Sequence, residues 1–141
     1  WGMQLLGQMS LQLANDRLFP LEQVPVGGRF SVRGYRENSL IRDNAFLASV
    51  ESRFPVMSYA TGEPLLQFAQ FVDLGRAWNT KGLTPDPQTL ASVGLGLRWH
   101  ILPRDRAHFE LYWGLPLNHV PHPPGNLQDH GIHLQLVVQM L

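Results

Sequence analysis

Two stretches of this chain together could do directed polar chemistry. The first is Val32-Arg33-Gly34-Tyr35. Arginine carries a permanent charge and a planar fork of donors shaped for a carboxylate. Gly34 lets the backbone bend or approach a wall closely, and Tyr35 supplies an apolar plate with a polar tip. The second is Phe71-Val72-Asp73-Leu74-Gly75, which holds the best acceptor for that fork, Asp73. Glu51 offers a second carboxylate. An arginine–carboxylate pair can be bidentate, so it fixes direction as well as charge. Gly75 leaves room for a segment to lie close, and Phe71 and Tyr35 are expected to pack nearby. This is anchoring chemistry, and none of these residues is expected to be a catalyst. There is no Gly-x-Ser-x-Gly elbow and no phosphate-binding glycine loop. His119 and His122, and His130 and His133, have metal-like spacing. The first pair lies among prolines, and only Asp129 is at hand to complete a ligand set, so neither a metal nor another cofactor is expected.

The elements that must position these residues read as strands. From Met3 to Leu13, Met3, Leu5, Gly7, Met9, Leu11 and Leu13 alternate with a face carrying Gln4, Gln8, Ser10 and Gln12. Period two with one apolar face is a strand signal. A second strand runs from Ala45 to Phe54, with Glu51 on its polar face and Pro55 expected to help end it. The third, Leu65 to Trp78, sets Leu66, Phe68, Val72 and Leu74 against Gln67, Ala69, Phe71, Asp73, Gly75 and Ala77. The fourth, Leu90 to Ile101, alternates most cleanly: Ala91, Val93, Leu95, Leu97, Trp99 and Ile101 oppose Ser92, Gly94, Gly96, Arg98 and His100. The fifth, Arg106 to Leu115, and the sixth, Gly131 to Met140, repeat the pattern. Gly94 and Gly96 are expected to relieve crowding or permit bending inside their strand, and Glu110 to belong to a charge ladder with Arg106 and His108.

Connections alternate in length. The turn-rich stretch from Asn15 to Asn44 contains Pro20, Pro25, Gly27 and Gly28. A loop this long in a compact protein is usually functional. Residues 79–88 and 118–129 form Pro/Gly-rich loops, while Ala60-Thr61-Gly62-Glu63-Pro64 and Leu102-Pro103-Arg104-Asp105 form short turns. Strands of about 10 residues, with long loops at one end and short turns at the other, fit a transmembrane barrel. A soluble β-sandwich also alternates, but its strands average about 5–6 residues. Trp78, Trp99, Trp113 and Phe54 fall near expected strand ends, where aromatic girdles sit.

Composition agrees. The 141 residues include 11 basic and 11 acidic side chains and no cysteine. A net charge of zero argues against nucleic-acid binding, which needs a basic excess. The absence of cysteine excludes a disulfide framework and thiolate chemistry. Hydrophobic content is 44% while mean hydropathy is −0.12, the mixture that alternation produces. The chain opens at Trp1 directly into alternation, so it reads as a segment of a longer chain.

Val-Arg-Gly-aromatic on a long loop, followed by Phe-x-Asp-x-Gly in a later strand, resembles the Omp85 superfamily of outer-membrane barrels. The fuller text from Glu22-Gln23-Val24-Pro25-Val26-Gly27-Gly28 through Arg33-Gly34-Tyr35-Arg36-Glu37-Asn38 to Asp43-Asn44 resembles one branch, the haemolysin secretion/activation family of two-partner secretion transporters. The resemblance covers most of the chain and is strongest from Glu22 to Trp78.

The resemblance implies that residues 1–141 are the C-terminal portion of one all-β domain. They would supply about six antiparallel strands of a barrel of roughly sixteen, with upstream strands and periplasmic POTRA domains lying outside them. The long loop would start outside the cell and fold inward, with Arg33 held at Asp73 and Glu51. The implied function is a pore in the bacterial outer membrane that secretes a β-rich partner of adhesin or haemolysin type. Outer-membrane lipid and the barrel-assembly machinery would be further partners. Members usually end in an aromatic residue, whereas this chain ends Gln139-Met140-Leu141. Two alternatives remain: a barrel-assembly insertase of the same superfamily, and a soluble β-sheet binding module.

Overall fold

A computed structural model describes residues 2–102, 106–120, 125 and 127–139. The alternation resolves into eight strands: β1 (Gln4–Gln12), β2 (Val24–Val26), β3 (Leu40–Arg42), β4 (Asn44–Ser58), β5 (Pro64–Trp78), β6 (Thr89–Leu102), β7 (Ala107–Pro116) and β8 (Ile132–Val138). Six of them form one antiparallel sheet in the order β1-β4-β5-β6-β7-β8, and β2 and β3 form a separate ribbon. The protein is all-β, and the sheet is a meander that skips the ribbon. It fits one arc of a barrel wall.

The strand faces follow the sequence pattern. Along β5, burial alternates without a fault from Gln67 to Ala77. Its outward side carries Val72 and Leu74, and its inward side carries Ala69, Phe71, Asp73 and Ala77, each at most 3% exposed. β6 repeats this, with Ser92, Gly96, Arg98 and His100 buried against Leu95, Leu97 and Trp99 exposed. β8 turns Leu134, Leu136 and Val138 outward and His133 inward. The exposed side is therefore apolar and the covered side polar, the reverse of a soluble sheet packed on a core. No helix among the described residues is long and apolar enough to cross a membrane.

Two boundaries differ from expectation. Pro55 does not help end its strand: β4 runs on to Ser58, with irregular register from Pro55 to Ser58. β1 pairs with β4 only as far as Arg53. Pro55 therefore lies where β4 has a neighbour on one side alone, and there a missing N–H is tolerated. Phe54 consequently sits inside the strand and not at its end. Within the second Pro-rich loop, Leu127–His130 forms a 3-10 turn that alternation could not signal. The turn at 102–105 and the end at 139–141 fall largely outside the described residues, as does His122.

The meander brings the ends of β1, β5 and β7 and the starts of β4, β6 and β8 to one rim, with the three long connections. Labelling tests the two-faced sheet. Cysteines placed at Leu95, Leu97 and Leu134 in the full-length protein should react with a membrane-buried probe. Those at Gln8 and Ser10, on the other face of β1, should react with a water-soluble one. Reversed labelling would mean that the register, or the membrane reading itself, is wrong.

Candidate functional site

The site is built from the loop between β1 and β4. Its outer limb is the β2–β3 ribbon, paired Val24 to Arg42 and Val26 to Leu40. Beyond Val26 the chain reverses through Gly27 and Gly28, at φ 110° and 103°, a region open mainly to glycine. Gly27 N–H donates to Ser31 Oγ at 2.8 Å, Gly28 N–H to Val32 O at 3.1 Å, and Arg29 N–H to the Glu37 carboxylate at 2.7 Å. The loop thus satisfies its own backbone before it meets the sheet. Val26, Val32, Tyr35 and Leu40 then pack with Ala45, Ala77 and Leu90 of β4, β5 and β6 into the larger of two buried apolar clusters. Gly75 makes the closest part of this contact possible. A Cβ there would stand 2.7 Å from Val26 Cγ1 and from Val32 Cγ2.

This packing delivers Arg33 to the inner face of the sheet, where it is 5% exposed. Its Nε donates to Asp73 Oδ2 at 2.8 Å and its Nη2 to Asp73 Oδ1 at 2.8 Å, a bidentate fork. The Arg33 backbone N–H also donates to Asp73 Oδ2, at 3.0 Å. Nη1 donates to Glu51, and Nη2 reaches Ser49 Oγ at 3.2 Å. The guanidinium carbon lies 3.7 Å from the centroid of the Phe71 ring and 4.9 Å from that of Tyr112. Burial works against the charge. The hydrogen bonds and charges of Asp73 and then Glu51 outweigh it, and the arginine pKa rises.

Gly34 is at φ 93° and lies against β7. A Cβ on it would come within 2.9 Å of the Gly114 carbonyl, so two glycines face each other backbone to backbone. The Gly34 N–H donates to His133 Nε2 at 3.0 Å. That histidine nitrogen therefore acts as an unprotonated acceptor. Phe71 packs at the anchor, against the Arg33 guanidinium, whereas Tyr35, expected there too, packs elsewhere. Tyr35 belongs to the larger apolar cluster, whereas Phe71 packs with Ala69 and Tyr112. The Tyr35 hydroxyl accepts from Asn118 N–H at 3.0 Å and lies 2.9 Å from Ala91 O. Arg36 pairs with Asp129, binding the loop to the segment before β8.

Of the eight residues singled out in the sequence, six meet directly: Val32, Arg33, Glu51, Phe71, Asp73 and Gly75, while Gly34 lies against Gly114 and His133. Tyr35 braces the same loop from the other side. Several partners were missed. Ser49 donates to Asp73 Oδ1 at 2.6 Å, Arg53 to Glu51 Oε1 at 2.6 Å, and the Tyr112 hydroxyl to Glu51 Oε1 at 3.0 Å. The signal available for Ser49 and Arg53 was that they share the polar face of β4 with Glu51. The glycines of β6 are explained by rings. A Cβ at Gly96 would meet Tyr112 at 2.5 Å, and one at Gly94 would overlap Phe71. Glu110 pairs with Arg98 and Arg29, whereas the expected ladder named Arg106 and His108. His108 does lie 3.8 Å from Glu110. No group of metal ligands occurs among the described residues.

A second missed hub is Asp43, at the rim and 1% exposed. It accepts from Gln23 Nε2 at 2.9 Å, Thr80 N–H at 3.0 Å and Leu18 N–H at 3.1 Å. Beside it, Asn44 Oδ1 accepts from Ala14 N–H at 2.7 Å, and Asn44 Nδ2 donates to Thr80 Oγ1 at 2.8 Å. Together they tie both limbs of the long loop to the loop after β5. These hydrogen bonds, led by that from Gln23, hold the Asp43 carboxyl below its ordinary pKa.

A sheet apolar on one side and polar on the other, with an arginine-anchored loop folded over its polar face, is compatible with part of the wall of an outer-membrane β-barrel. Residues 2–99 match the model of the family described as haemolysin secretion/activation protein ShlB/FhaC/HecB, and the chain belongs to that family. No curated protein and no solved structure matches it.

Three substitutions test the packing and the rim. Gly75→Ala should displace the ribbon, destabilising the fold by about 1–3 kcal/mol through overpacking. Gly34→Ala should be at least as harmful, because it adds a Cβ at positive φ against backbone that cannot yield. The loss of heat-modifiable mobility with temperature measures both. For Asp43 the sign follows from its lowered pKa. The folded state resists protonation, so the carboxylate stabilises the rim above the ordinary carboxylate pKa. That contribution fades as pH falls through the ordinary value and is gone below the lowered one. Proteolysis of residues 14–23 should therefore quicken in acid, and Asp43→Asn should show the same susceptibility at neutral pH.

Proposed function

We propose that this chain is the C-terminal portion of an outer-membrane pore that secretes a β-rich partner of adhesin or haemolysin type in two-partner secretion. The observation that carries the reading is the loop held over the polar face by Arg33, beneath a sheet whose other face is apolar. An apolar exterior suits lipid, and a loop inside the wall suits a channel that must stay shut until cargo arrives. The long connections then lie outside the cell and the short turns in the periplasm. The edges at β1 and β8 require further strands, because lipid does not tolerate unpaired edges. Assignment to the secretion family supports export over barrel assembly by an insertase of the same superfamily. The exposed Leu95, Leu97, Leu134 and Leu136 weigh against a soluble binding module.

In this reading Arg33, Asp73 and Glu51 catalyse nothing. They fix the loop, and the work of the protein is passage of a polypeptide. Lipid and the barrel-assembly machinery are its other partners.

Arg33→Ala and Asp73→Ala in the full-length protein should each reduce secretion of the partner while the barrel remains inserted. The double variant should lose little beyond either single one, since both changes break one contact. Arg33→Lys should also be impaired, because an ammonium cannot reproduce the bidentate fork. Strictly additive losses in a secretion assay would sink the anchored-loop account.

A further inference from the structure

The loop touches the wall at a second charged cluster that neither motif contains. Arg29 lies at the tip, four residues before Arg33. Its Nη2 donates to Glu110 of β7. Glu110 is 5% exposed, and its other oxygen accepts from Arg98 Nε at 2.8 Å. Arg98 and Glu110 are cross-strand partners on β6 and β7. That pair lies within the wall and involves no residue of the loop. Arg98 thus supplies a countercharge to Glu110 from within the wall. What Arg29 finds there is the second oxygen of a carboxylate already held in place.

We propose that Arg29 is a second anchor of the loop, separate from Arg33, and that it positions the tip against β7 through Glu110. The two anchors differ in grip. Arg33 makes four side-chain hydrogen bonds to three residues of β4 and β5. Arg29 holds Glu110 by one nitrogen, and its Nε is without a hydrogen-bond partner. They share one platform. The Arg29 guanidinium lies 4.4 Å from the centroid of the Tyr112 ring and that of Arg33 4.9 Å. The Tyr112 hydroxyl in turn donates to Glu51. Cations over an aromatic face attract it most where water is scarce, so Tyr112 joins the anchors across β7 and β4.

The position being fixed is that of Phe30. It is the next residue, 78% exposed, and it borders a cavity of about 520 Å³ that Arg29, Arg33, Glu51, Arg53 and Tyr112 also line. Arg33 sets where the loop enters the wall. Arg29 sets where the tip, and with it Phe30, stands in the space beside β1 and β4. The proposal rests on the pore reading only for what that space is used for.

The test is a distance measurement on the full-length protein, made otherwise cysteine-free and reconstituted in lipid. Spin labels are placed at Phe30→Cys and at Leu95→Cys on the outward face of β6. The parent should give one narrow distance peak. Arg29→Gln should lose that peak to a broad distribution while heat-modifiable mobility stays at the parent value. Glu110→Gln should do likewise, and the double variant should broaden no further than Glu110→Gln alone. Arg29→Lys should retain part of the peak, because a charge remains without the fork. A distribution for Arg29→Gln that superimposes on the parent overturns the proposal, whatever secretion does. A lost peak with unchanged secretion upholds the anchor and counts against the pore reading alone.

Discussion

The structure depends on how one buried cation is neutralised. Arg33 sits on the inner face of the sheet with almost no exposure, where an unpaired charge would be expensive. Asp73 meets it through both oxygens, Glu51 takes a third donor, and the Phe71 ring covers its face. Removing either side of such a pair leaves the other stranded. The contact therefore fixes more than one side chain. Through the Arg33 backbone N–H it also fixes the main chain on which Gly34 and Tyr35 follow.

Small residues give that contact its shape. Gly75 admits Val26 and Val32, Gly114 admits Gly34, and Gly94 and Gly96 admit the rings of Phe71 and Tyr112. Each lies on the inner side of a strand, where a Cβ would push the loop or a ring away from the wall. On the outer side the same strands carry Val, Leu and Trp. One sheet thus has two unlike faces, with bulk outward and space inward.

Charge on the inner face forms a linked set: Arg29, Arg33, Arg53 and Arg98 share Asp73, Glu51 and Glu110. Four cations on three carboxylates, with Tyr112 bridging, span β4 to β7. Networks of this kind specify one arrangement more than they stabilise it. At the rim a separate set around Asp43 and Asn44 ties the limbs of the loop to the loop after β5. The loop is held at its entry, along its length and at its root by different chemistry at each place.

The sequence by itself determined the six strands of the sheet, apart from their ends, and which way their residues face. Period-two alternation is a local property, and an apolar outer face opposite a polar inner one makes it strict. It also marked Arg33 and Asp73, because an arginine followed by glycine and tyrosine on a long loop, and an inward carboxylate two residues before a glycine, are visible in one dimension. It could not show that β4 continues past Pro55, since that depends on β1 ending its pairing at Arg53. Nor could it place Tyr35 among Val26, Leu40 and Leu90, or bring Arg29 to Glu110 across 81 positions. Those contacts exist only once the loop has folded onto β4 to β8 at once. Tertiary structure decided them, because burying Val26 and Val32 against Gly75 sets where the loop lies, and Arg29, Arg33 and Arg36 then meet the carboxylates of Glu110, Asp73, Glu51 and Asp129.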